Sequence, residues 1–122
     1  MSIYYHVTYS SRIPSIRKHG LLISHRKEVR ISQKNVIYVM KDLMHAGMFA
    51  SEMSYKSQRP ASILHVRVDP RYLKQDYNTL AVVGVWYEYH HDIKPKDIIK
   101  VDAWDAKAKK RHMKLMNKVF KR

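Results

Sequence analysis

Short runs in which apolar residues alternate with polar ones, broken by two stretches of helical spacing, set the outline of this chain. Residues 2 to 8, SIYYHVT, are β-branched and aromatic and predict a strand. SSRIPSIRKHG follows: Ser10 or Ser11 can cap a helix, Pro14 suits its first turn, and Gly20 suits its C-terminal stop. Ile13 and Ile16 point one way with Leu21 beyond the turn, so a short helix pinned to a sheet is expected. NVIYVM, 35 to 40, predicts a second strand, after which Asp42 caps LMHAGMFASEMSYKSQ. There Leu43, Ala46, Ala50 and Met53 recur at three- and four-residue spacing, and Ala46, Gly47 and Ala50 keep the helix thin enough for close approach.

The second half is richer in strands. SILHVRVD, 62 to 69, alternates, with Ile63, His65 and Arg67 on a face polar enough to be solvated and Leu64, Val66 and Val68 on the other. TLAVVGVWYEYHHDI, 79 to 93, is long enough for two strands or one bent at Gly84. IIKVDAWD adds a strand, and the C-terminal segment predicts a helix with Met113, Met116 and Phe120 on one side. This order argues for an α+β fold with a mainly antiparallel sheet.

With 122 residues, 45% apolar and 28% charged, the chain suits one domain over 1 to 106 followed by a basic helix over 107 to 122. It has no cysteine, which removes disulfides, thiolate metal sites and cysteine nucleophiles. The N-terminus lacks a signal-peptide pattern and no window is long and apolar enough for a membrane span, so a cytoplasmic protein is expected. The charge narrows the partners: 24 Lys plus Arg against 10 Asp plus Glu give +14. Lys107, Lys109, Lys110, Arg111, Lys114, Lys118, Lys121 and Arg122 supply +8 of it from a segment without one acid. Such a field draws nucleic acid, acidic protein surfaces or anionic small molecules, and it also suits a merely solvated helix.

Several chemistries lack their motifs. His90 and His91 are adjacent and on a strand would face opposite sides, and no HExxH or carboxylate-rich loop occurs, so no metal is expected. Glycines at 20, 47 and 84 cannot build a Walker-type loop or GxGxxG, and no GxSxG marks a nucleophile turn. What remains are polar or aromatic residues on strands: His6, Thr8, Tyr38 and Glu88. Each has an ordinary structural reading beside a functional one. An imidazole on an apolar strand packs and bonds internally, a tyrosine fills a core, and a glutamate between tyrosines faces water.

Taken in order, these segments resemble the ADP-ribosyltransferase family. YYHVTYSSRIPSIRKHGLL is similar to that family's opening, a strand bearing H-x-T that runs into a helix ending in Gly-Leu. VIYVMKDLMHAGMFA is similar to its second motif, with Tyr38 and Phe49 eleven positions apart, and YEYHHDIKPKDIIKV to its third, a Glu ahead of Ile93, Pro95 and Ile98. The resemblance covers about residues 3 to 101 and implies a split sheet carrying an H-Y-E type NAD⁺ site. It implies that His6 bonds the adenosine-side ribose with Thr8 beside it, that Tyr38 and Phe49 cover the two faces of nicotinamide, and that Glu88 faces the charge developing at C1′. Arg12 and Arg17 could hold the NAD⁺ phosphates and equally suit solvated positions on the helix. Trp86 occupies the position where a second Glu or Gln favours arginine as acceptor, which points away from arginine modification.

The residue types suit that reaction. Breaking the C1′–N bond builds positive charge, which a preorganised carboxylate stabilises, and flat π-faces attract a flat cation. The resemblance implies mono-ADP-ribosyl transfer to a macromolecule, with NAD⁺ as substrate. The basic surface favours nucleic acid or a nucleic-acid-bound protein complex as target, by counterion release, with an acidic host protein as the next choice. By analogy, the setting is a toxin or phage effector. Two other classes stay open from the residues alone: a small basic ribonuclease-type toxin using Tyr, His and Arg, and a non-catalytic binding protein on the same fold.

Overall fold

The computed structural model describes residues 1–23, 36–75, 86–104 and 114. Six strands form a single antiparallel sheet: β1 (Ser2–Tyr9), β2 (Ile37–Met40), β3 (Ala61–Val68), β4 (Leu73–Gln75), β5 (Trp86–Tyr89) and β6 (Ile98–Trp104). Their order across the sheet is β4-β5-β2-β1-β3-β6. Two helices join it, α1 (Ile13–His19) and α2 (Leu43–Ser57). This is an α+β fold, as the alternation of strand and helix patterns predicts.

Apolar periodicity divides the core between the two faces. On one face Ile37, Val39, Leu64, Val66, Val68 and Tyr89 pack with Ile16 of α1, Leu21 and Ile93. On the other, α2 lays Ala46 and Ala50 on Met40, Ala61 and Ile63, ringed by Tyr5, Val7, Phe49, Met53, Trp86 and Trp104. Ala46, Gly47 and Ala50 are all buried, so the small residues do set the close approach of α2. Ile63 is fully buried beneath this helix, which corrects the expected solvated face of β3: only His65 and Arg67 on that face extend past the helix, half-buried and exposed.

Capping differs from the sequence pattern. A 3-10 turn over Ser10–Arg12 precedes α1, which places Arg12 at the N-cap with no side-chain cap bond. Ser10 does not cap because its Oγ meets Ser62 Oγ at 2.7 Å, and Ser11 Oγ accepts from Arg59 Nη2 at 3.4 Å. Pro14 lies in the first turn as expected. Asp42 occupies the N-cap of α2 but makes no cap bond with its carboxylate, which stands 4.0 Å from His45 Nδ1. Gly20 ends α1 at φ 77, a left-handed conformation open to glycine, and a Cβ there would run into the carbonyl oxygen of Ile93. That contact belongs to a clasp in which Leu21 N–H donates to Ile93 O at 2.8 Å and Ile93 N–H to Leu21 O at 2.9 Å.

Strand β4 answers to no expectation from the sequence; Leu73, Lys74 and Gln75 pair with Tyr89, Glu88 and Tyr87. The bend anticipated at Gly84 lies outside the described residues, as do Lys107, Lys109, Lys110, Arg111, Lys118, Met113, Met116 and Phe120 of the basic segment. Lys114 is described as helical and exposed. Among the described residues, no helix is long and apolar enough to cross a membrane.

Candidate active site

The middle of the sheet carries the residues singled out by the sequence. β1 pairs with β3 at eight positions, from Ser2↔Val68 to Tyr9↔Ala61, whereas it pairs with β2 at Tyr5↔Met40. Beyond that point the two strands part, and a seam opens between the C-terminal half of β1 and the start of β2. The imidazole of His6 fills part of this seam: its Nδ1 donates to the Tyr38 carbonyl at 2.8 Å, standing in for a ladder rung. A carbonyl only accepts, so Nδ1 carries the proton, and in the neutral ring Nε2 is an acceptor.

Tyr38 and Glu88 are direct cross-strand partners on β2 and β5 and therefore share a face. In plain alternation His6, opposite Leu64 on β3, belongs to the other face. His6 reaches the Tyr38 backbone through the seam, and its side chain does not share the face that carries the Tyr38 and Glu88 side chains. All are buried, with His6 4%, Tyr38 8% and Glu88 3% exposed. A carboxylate, an imidazole and a phenol this far from water are costly unless bonded. Thr8, two residues along from His6 and 8% exposed, pairs with Ser62.

An aromatic wall borders Glu88. Trp86 lies on its face of β5 and meets Tyr38 edge-on at 6.2 Å between ring centroids and Phe49 of α2 at 4.8 Å. Trp86 thus touches both rings expected to sandwich nicotinamide. Sequence reasoning gave Trp86 no role in the site, although the two-residue spacing from Glu88 carries the signal. It also passed over His90 and Lys74. His90 Nε2 stands 3.2 Å from Glu88 Oε1, and Lys74 lies opposite Glu88 in the β4 register, exposed. Arg12 is half-buried at the start of α1, and Arg17 is exposed on it.

Burial raises the phenol of Tyr4, with Tyr87 adding to it, and burial raises that of Tyr89, whose oxygen accepts from Asp69 N–H at 3.1 Å. The hydrogen bonds from Arg71 hold the Asp69 carboxyl below its usual value. Among the described residues no group of three His, Cys, Asp or Glu is arranged to hold a metal ion. A cleft of about 460 Å³ lies apart from this centre, between α2 and the ends of β3 and β6.

No protein-family model matches the chain, and no curated protein matches it either. The site therefore has to be judged on its own chemistry. It offers a buried carboxylate beside an aromatic wall, with an imidazole acceptor held in place by a backbone bond. Such a set can grip a flat cationic ring, orient a sugar hydroxyl, and stabilise positive charge that develops next to the carboxylate.

Proposed function

We propose that the chain is an NAD⁺-dependent mono-ADP-ribosyltransferase of the ADP-ribosyltransferase fold, acting on nucleic acid or a nucleic-acid-associated protein. One observation supports this reading: Tyr38 and Glu88, from distant segments, are cross-strand partners on one face, and His6 bonds the Tyr38 carbonyl where β1 and β2 stop pairing.

In this reading His6 Nε2 accepts from a hydroxyl of the adenosine-side ribose, because Nδ1 is already committed to Tyr38 O. Tyr38, Trp86 and Phe49 supply the aromatic contact for nicotinamide, and Thr8 and Arg12 lie along the dinucleotide. Glu88 accepts from the 2′-hydroxyl of the nicotinamide-side ribose. As the C1′–N bond breaks, its electron pair leaves with neutral nicotinamide and the ribose becomes cationic. The buried carboxylate stabilises that cation. A lone pair of the acceptor then forms the new bond to C1′ and the acceptor loses its proton. The excess of cations, +14 over the chain, raises the local concentration of a polyanionic target.

The test is transfer of label. Full-length protein is incubated with NAD⁺ labelled in the ADP-ribose half together with RNA, DNA or a nucleic-acid-bound protein. Label should pass to one of these from the wild type and not from Glu88→Ala. Equally little transfer from both, with nucleic acid still bound, sinks the transferase reading and leaves a binding protein. Cleavage of the RNA without NAD⁺ would instead favour a ribonuclease.

A further inference from the structure

The cleft of about 460 Å³ has a chemistry of its own. Its volume falls in the range of small-molecule sites. Trp104 makes one wall, its Nε1–H donating to Ser51 Oγ at 2.8 Å, which fixes the orientation of the ring. Tyr55, near the C-terminus of α2, stands at the mouth with 74% of its surface exposed. Ser10 and Ser54 also line the cleft, the Ser10 hydroxyl being bonded to Ser62 Oγ at 2.7 Å.

Among the described residues that line the cleft, Arg59 is the one ionised side chain and no carboxylate accompanies it. Its guanidinium lies 4.2 Å over the Tyr9 ring and gives one N–H to Ser11 Oγ at 3.4 Å. The planar fork has five N–H donors, so stacking holds it in place while most of its donors stay available for an anion. A cleft whose described lining holds one cation, no acid and two aromatic residues repels metal cations and draws anions. It suits a flat base attached to a phosphate.

We infer that this cleft binds an unpaired nucleotide of a single-stranded nucleic acid, the base against Tyr55 and Trp104 and the phosphate at Arg59. The net charge of +14 makes a polyanion the favoured partner, and base-on-aromatic contact selects single strands because a duplex hides the faces of its bases. The site lies outside the His6, Tyr38 and Glu88 centre and does not depend on the transferase reading.

The full-length protein, without NAD⁺, is titrated into a fluorescein-labelled oligothymidine of about ten nucleotides and into the matching duplex, and anisotropy is recorded over a series of salt concentrations. Tyr55→Ala removes an exposed ring and leaves the fold intact, so weakening of the single strand by about 5- to 150-fold reports the lost stacking. Arg59→Gln should shallow the slope of log affinity against log salt by about 0.7, the share of one phosphate contact on a single strand. Arg71→Gln, an exposed arginine outside the cleft, should change neither. Four outcomes overturn the proposal: no single-strand binding by the wild type, duplex binding of equal strength, wild-type behaviour from both cleft variants, or equal displacement by an oligoglutamate peptide. Binding that survives where label transfer fails would remove the transferase reading alone.

Discussion

Replacing Glu88 by Gln keeps the shape of the side chain, and its contact with His90, while removing one negative charge from a position that is 3% exposed. The magnitude follows from that burial. Two unit charges about 4 Å apart at an effective dielectric near 20 attract by about 4 kcal/mol, which is about a thousandfold in rate. The carboxamide dipole retains part of this stabilisation, so the expected loss is about 10²- to 10³-fold, the range seen when one preorganised group facing a transition-state charge is removed. The charge develops only as the C1′–N bond breaks, and so kcat and kcat/KM should fall together while KM for NAD⁺ holds. Nicotinamide release by purified protein, followed by chromatography, reads this directly. His65→Ala is the control: its imidazole bonds Asp102 at 2.7 Å on the other half of the sheet and plays no part in the chemistry. A Glu88→Gln enzyme within about threefold of wild type refutes the electrostatic argument, as does a His65→Ala enzyme impaired to the same degree.

Two further outcomes test the structure itself. His6→Ala strips the Tyr38 carbonyl of its buried donor and should cost about 1–3 kcal/mol, seen as a lower urea midpoint with an unchanged slope; an unchanged midpoint would mean that the seam closes or hydrates at no cost. Alkaline unfolding tests Tyr4, whose phenol burial raises above 10.0. The unfolded chain releases this proton near its ordinary value and the folded chain only at higher pH. The contribution of Tyr4 to stability is therefore whole below about pH 10 and declines as pH rises through the raised folded value. Urea midpoints measured stepwise across that window should fall less steeply for Tyr4→Phe, and parallel curves would exclude Tyr4 as a source.

Long apolar or alternating runs were legible because each dictates its own face. β1, β3, β6 and α2 follow their patterns to within a residue or two at the ends. What depends on partners far along the chain was not. β4 is three residues of mixed polarity, and it is a strand only because β5 offers it an edge. Ser10 carries a cap signal, yet its hydroxyl goes to Ser62, a residue 52 positions away that no local pattern connects to it. His6, Tyr38 and Glu88 were legible as residue types in order, while the bond from His6 to the Tyr38 backbone depends on a register between β1 and β2 that the sequence does not encode locally. Trp86 was legible as the residue two before Glu88, while its contacts with Tyr38 and Phe49 depend on the pairing of β5 with β2 and on the placing of α2.

The strand order also governs how the molecule comes into being. β1 is made first, yet its neighbours are β2 and β3, and β2 in turn needs β5, so the central strands close over separations of tens of residues. Such pairings pay their loop entropy before any contact rewards it, which makes for slow, late consolidation. A ribosome that has not yet released residues 86–89 holds a chain in which Tyr38 has no cross-strand partner and no carboxylate. The pairing of Tyr38 with Glu88 thus forms only after most of the chain has been made, and β6 still follows it.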